Sequence, residues 1–197
     1  MDLSQLCLPV VLSAIGVFIA SFLAWMVLPH HKQDVRVLPD EKAWIARLKE
    51  LKVSPGIYMW PNCQSPEDMK SEEYKARFNA GPWGSLNILP GKPNFARNLI
   101  LVFLFYVVVS VFVAYITGHA RAAGAAFAAV FQVAGSAAIL GYCAGQIPSA
   151  IFFGKPGRFV LTDLIDGVAY GLITGLIFAC LWPAGSGLPS LNVPTPG

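Results

Sequence analysis

Four long apolar stretches, Leu6–Leu28, Asn98–Gly118, Ala122–Ile147 and Leu161–Leu181, contain almost no ionisable side chain. The strongly polar residues gather between the first two. About 20 apolar residues in helical form span a hydrocarbon core about 30 Å thick, and each stretch meets or nearly meets that length. The runs are continuous rather than alternating, which favours helices over barrel strands. The pattern predicts an all-α integral membrane protein with four transmembrane helices and a small mixed α/β cytoplasmic insertion between helices one and two. The chain divides into a first transmembrane helix (1–29), the insertion (30–97), a three-helix transmembrane region (98–183) and an extended, uncharged tail rich in Pro, Gly and Ser (184–197). The first stretch reads as a retained helix rather than a signal peptide. Met1–Gln5 has no basic residue, the apolar run is too long, and Trp25, Met26 and Pro29 make no cleavage site.

Inside the insertion, Trp44, Ile45, Leu48 and Leu51 follow Pro39–Asp40 at amphipathic spacing, with Asp40 as cap. Ser65–Pro66–Glu67–Asp68 starts a second helix expected to run to about Phe78. The runs 56–60 and 84–89 are short and β-prone, and their pairing would be marginal without support from a membrane surface or a partner.

Charge sets the threading. Charged residues make up only 13% of the chain, about half the usual share for a soluble domain. Eleven of the fourteen Lys and Arg residues lie in His30–Arg97, and Lys32, Arg36, Lys42, Lys92 and Arg97 flank the neighbouring helices. The next loop offers Arg121, and the last offers Lys155 and Arg158. The positive-inside rule then predicts both termini outside and the long insertion inside. The formal charge of +3 gives no argument for nucleic acid.

Gly167, Gly171 and Gly175 recur every four residues in the fourth stretch, extended by Ala179. A face without side chains lets another helix approach closely. Gly124, Ala128, Gly135, Ala138, Gly141 and Gly145 supply small residues to the third stretch, so helices three and four are expected to pack together, or one of them against another protein. The second stretch, rich in Leu, Val and Phe, reads as largely lipid-facing, with Tyr106, Ser110 and Tyr115 as polar exceptions. Tyr115, Trp25 and Trp182 fit interface anchors.

Candidate chemistry is sparse. Asp163 and Asp166 follow Thr162 at the expected start of the fourth helix, where acids favour the helix dipole. Asp166, with Gln132 and Thr174, is the candidate for a polar path, because intramembrane carboxylates are costly. An interhelical hydrogen bond is the simpler role for Gln132. His30–His31 invites a soft-metal reading with Met59 and Cys63, but no recognised ligand spacing is present. The expectation is a cationic flank that anchors the helix end, with no metal ligands. Cys7, Cys63, Cys143 and Cys180 form no CxxC and imply no disulfide framework. GxSxG, HExxH and phosphate-loop motifs are missing, and His119 has no evident nucleophile nearby, which weakens the enzyme reading. No cofactor is implied.

The runs Trp25–Lys32 and Leu38–Glu41, with Pro55–Tyr58, Ala80–Gly84 and Phe112–His119, resemble a family of small bacterial integral membrane proteins of unassigned function. The resemblance covers most of the chain except its tail. It implies a bacterial inner membrane and carries over no activity. The expected function is a non-catalytic accessory or scaffolding subunit packing against a larger membrane complex, with a respiratory or photosynthetic complex as a candidate host. Expected partners are the lipid bilayer and either a membrane-protein partner or a second copy. The alternatives are a small transporter or channel along Asp166, Gln132 and Thr174, and a metal protein using His30–His31.

Overall fold

A computed structural model describes residues 3–185. Most of the tail expected over 184–197 lies outside the described residues. Four helical spans are long and apolar enough to cross a membrane: Ser4–Val27, Phe95–Ala120, Phe127–Phe152 and Gly157–Cys180. The first comprises a 3-10 turn, α1 (Cys7–Phe22) and a widened π turn, Leu23–Val27. The second is α5 (Phe95–Ala120), capped by Asn94, whose side chain accepts from the Arg97 amide. The third is broken into α6 (Phe127–Cys143) and α7 (Gln146–Phe152). Pro148 has no amide hydrogen to return to Ala144, so the ladder loosens at this break. The fourth is α8 (Gly157–Cys180).

The core runs between these helices and is built from small and medium side chains: Ala14, Val17, Val113, Val130, Ala134 and Phe178 are almost wholly covered. The expected pairing of the third and fourth helices is the most intimate in the molecule. A Cβ on Gly171 would stand 2.8 Å from the Ile139 amide nitrogen, and one on Gly175 would stand 2.8 Å from Gly135 Cα. Gly167 faces Cys143, and Ala179 is buried. Four of the six small residues expected from the third stretch lie off this seam: Gly124 precedes α6 and faces Gly185, and Ala128 is exposed. Gly141 turns toward Val109 of α5, and Gly145, in the α6–α7 break, has open space where a side chain would stand. The large side chains of α5, such as Ile100, Leu104, Val108 and Phe112, point outward, while Tyr106 and Ser110 are buried and Tyr115 is exposed.

The insertion carries α2 (Glu41–Glu50), β1 (Gly56–Trp60), α3 (Pro66–Lys70), α4 (Glu72–Ala80) and β2 (Gly84–Ile88). Asp40 caps α2 as expected, accepting from the Ala43 amide. β1 and β2 pair antiparallel, Gly56 opposite Ile88 and Trp60 opposite Gly84. The single helix expected from Ser65 to Phe78 is instead two. Ser71 adopts an extended conformation and its hydroxyl accepts from the Tyr74 amide, so it stops one helix and caps the next. Ser71→Ala is expected to cost about 1 kcal/mol of local stability, read as faster amide exchange confined to α4.

Candidate functional site

The first helix ends because Leu28 precedes Pro29 and is forced into an extended conformation. The π turn closes with the Leu28 amide on Leu23 O. The chain then folds into tight turns, Lys32 onto Pro29 O and Asp34 onto His31 O. Neighbouring residues of a straight helix diverge, but in this turn His30 and His31 converge. Their ring centroids lie 4.2 Å apart, and the indole of Trp25 stacks on His31 at 3.9 Å, nearly parallel.

Both histidines meet α8. His30 Nε2 lies 3.0 Å from Asp166 Oδ1, and His31 Nε2 lies 3.0 Å from Asp166 Oδ2. Tyr170, one turn further along, donates its hydroxyl to Asp166 Oδ2 at 3.1 Å. The other nitrogen of His31, Nδ1, is 2.7 Å from Asp34 Oδ2, which also accepts from the Thr162 hydroxyl at 2.7 Å. Arg158 grips the same loop. It donates to the His30 carbonyl at 2.7 Å and to the Gln33 side chain at 3.2 Å, and it faces Asp34 Oδ1 at 3.4 Å. The side chains of His31 and Asp34 are almost entirely covered, that of Asp166 is 10% exposed, and that of His30 is 28% exposed.

The protonation of His31 follows from its neighbours. A neutral imidazole has one N–H, and an ionised carboxylate only accepts. With a carboxylate at each nitrogen, His31 is satisfied as an imidazolium. Burial of the ring opposes that charge, but the hydrogen bonds and fields of Asp166 and Asp34 outweigh it and raise the pKa above the ordinary histidine value. For Asp34, the Thr162 hydrogen bond does most to hold the carboxyl below the ordinary aspartate range. Burial opposes it, and the His31 hydrogen bond and the Arg158 charge reinforce it.

Beside this cluster lies an open cavity of about 330 Å³, lined by Trp25, Tyr106, Tyr142, Asp163, Asp166 and Tyr170 among others. The rings of Tyr106, Tyr142 and Tyr170 meet edge to face with centroids 6.0–6.1 Å apart.

Several expectations change here. Asp163 and Asp166 do not open their helix: α8 begins at Gly157, so Asp166 lies more than two turns in and its charge answers the histidines rather than the helix dipole. The candidate polar path is not assembled. Thr174 is fully buried but donates to Tyr170 O of its own helix, while Gln132 is on the outer surface of α6. Among the described residues, the histidine cluster contains Asp166 and omits Cys63. His119 is remote in role, its ring bonded to Tyr115 O at 2.8 Å. Sequence reasoning missed Asp34, Arg158 and Thr162. The one local signal for Asp34 was its spacing three residues after His31.

The insertion's entry loop and Arg158 share one end of the bundle. At the other end, Trp182 donates to Ala122 O at 2.9 Å and the Gly124 amide donates to Pro183 O at 2.8 Å.

No family model matches this chain, and no curated protein and no solved structure matches it.

Proposed function

We propose that this protein is a non-catalytic accessory subunit of a larger complex in a bacterial inner membrane, and that its insertion is the docking element. The carrying observation is the insertion's lack of a core: beyond the clamped loop around His31 and Asp34, no residue from 35 to 97 is buried. The apolar side chains Trp44, Ile57, Met59, Trp60, Phe78 and Trp83 are exposed, Ile57 by 66% and Trp83 by 62%. A two-stranded hairpin is marginal by itself, and an exposed apolar surface of this kind marks an interaction site. The hairpin and the end of α7 flank one cleft, with Met59, Trp60 and Trp83 on one wall and Ile151 and Phe152 on the other. The histidine–aspartate cluster fits this reading as a clamp. It ties the loop entering the insertion to α8 and so fixes where the docking element starts.

The glycine face no longer supports an outside partner, because α6 occupies it. Its role in this proposal is to make the bundle rigid. The threading has both termini outside and the insertion inside, by the basic residues that flank it. A second copy as partner, and membership of the small bacterial family noted above, belong to the same proposal. The transporter alternative loses support, because Gln132 is on the outer surface, away from the cluster around Asp166.

The test is site-specific photocrosslinking from residues 57 and 83 in the source membrane. One protein partner is expected at both positions. Ile57→Asp together with Trp83→Asp is expected to lower its co-purification in mild detergent about tenfold, with helix content unchanged. Crosslinks to lipid alone, with the wild type migrating as a single chain, would refute the proposal.

A further inference from the structure

We propose that His30, His31 and Asp166 bind one divalent transition-metal ion, with Asp34 as the group that orients His31. The donor atoms of the three ligands lie within 4.8 Å of one another. Metal–nitrogen and metal–oxygen bonds of about 2.0–2.2 Å at tetrahedral angles place ligand atoms about 3.3 Å apart. The two His–Asp166 separations, each 3.0 Å, are already near that spacing. The donor set argues for the metal class. Two imidazoles and one carboxylate suit Zn²⁺, Fe²⁺, Ni²⁺ or Cu²⁺, whereas Ca²⁺ and Mg²⁺ prefer oxygen alone.

The surrounding groups are those a metal site needs. A histidine that ligates through Nε2 must carry its proton on Nδ1, and that proton is usually held by a carboxylate or carbonyl. His31 Nδ1 is on Asp34 at 2.7 Å, and Asp34 is itself held by Thr162 and faced by Arg158. Trp25 fixes the plane of the His31 ring by stacking, and Tyr170 orients the Asp166 carboxylate. Ligation through Nε2 leaves the Nδ1 contact of His31 with Asp34 intact. Three protein ligands leave coordination open, and Asp166 is on the wall of the 330 Å³ cavity. The docking proposal is carried by the exposed insertion, and the metal site does not depend on it.

The experiment uses the full chain in detergent, stripped with a chelator and back-titrated with Zn²⁺ alone. One Zn²⁺ per chain is expected, with a rise in thermal midpoint, and Co²⁺ in its place is expected to give visible ligand-field bands. His30→Ala is the main variant. His30 is the most exposed ligand, and its removal leaves the Asp34–His31–Asp166 chain in place. It is expected to weaken Zn²⁺ binding at least tenfold and to abolish the Co²⁺ bands. Asp34→Asn is expected to weaken binding by about 10–100-fold through the tautomer of His31. His119→Ala is expected to change nothing. Absence of stoichiometric Zn²⁺ in the folded wild type would overturn the proposal. So would a folded His30→Ala chain that binds Zn²⁺ as tightly as the wild type.

Discussion

Gly175→Ala is expected to lower the unfolding midpoint clearly, and Gly175→Leu is expected to prevent the bundle from assembling. At this position α8 lies against the backbone of α6. An added Cβ would stand 2.8 Å from Gly135 Cα, 3.0 Å from Gly135 N and 3.2 Å from Phe131 O. None of these atoms belongs to a side chain, so no rotamer change relieves the overlap and the helices must separate. Overpacking of this kind costs about 1–3 kcal/mol for a small group. In lipid the cost is felt fully, because helix association there rests on close van der Waals packing and interhelical hydrogen bonds rather than on release of water. Gly145→Ala is the control, since nothing lies within 4 Å of the site of its Cβ. Unfolding titrations in mixed micelles are expected to rank Gly145→Ala with the wild type, Gly175→Ala below it, and Gly175→Leu without a folded baseline. A wild-type midpoint for Gly175→Leu would mean that the α6–α8 contact is not what holds the bundle together.

Asp166→Asn is expected to be the most damaging exchange of one polar side chain for another of the same size. Its carboxylate is the shared partner of His30, His31 and Tyr170. Asparagine keeps the volume but removes one of the two carboxylates that His31 faces, and its amide sets a donor toward the ring N–H. Breaking a buried ion pair by removing one member costs about 3–5 kcal/mol, because the remaining charge stays buried without compensation. Asp34 still faces His31 at 2.7 Å, so with the retained amide oxygen and the access of His30 to solvent this case falls below that range, at about 1–3 kcal/mol. Measured in chelator, so that no metal contributes, the unfolding midpoint is expected to fall and amide exchange over residues 28–36 to accelerate. Glu72→Gln, which breaks the exposed Lys75–Glu72 pair at 2.7 Å, is expected to change stability by less than about 1 kcal/mol. Equal effects from the two substitutions would show that the buried cluster does not hold the loop.

The helical spans were legible because their signal is local. Each is a long run of apolar residues, and the Gly167–Gly171–Gly175 spacing places three residues on one face by helix geometry alone. The same logic found the cap at Asp40 and the two β-prone runs. It misjudged the helix after Ser65, because Ser71 is as good a cap as Ser65 and nothing in the hydrophobic pattern marks the change. It also placed Asp166 near a helix start, because the apolar run begins at Leu161 whereas the helix begins at Gly157. Residues 157–160 are helical but too short a lead to register in a hydropathy pattern.

The chain's order of apolar and polar residues was enough by itself to set four helical spans, an exposed insertion between the first two, and a small-residue seam on the fourth. These follow from which groups water or lipid will accept, a property each segment carries alone. The site needed tertiary structure. His30 and His31 are 136 and 135 residues from Asp166 in sequence, and the two rings converge only because a π turn and Pro29 redirect the chain. Which buried nitrogen meets which carboxylate depends on how two distant segments lie in three dimensions, and no local pattern of side chains encodes that distance.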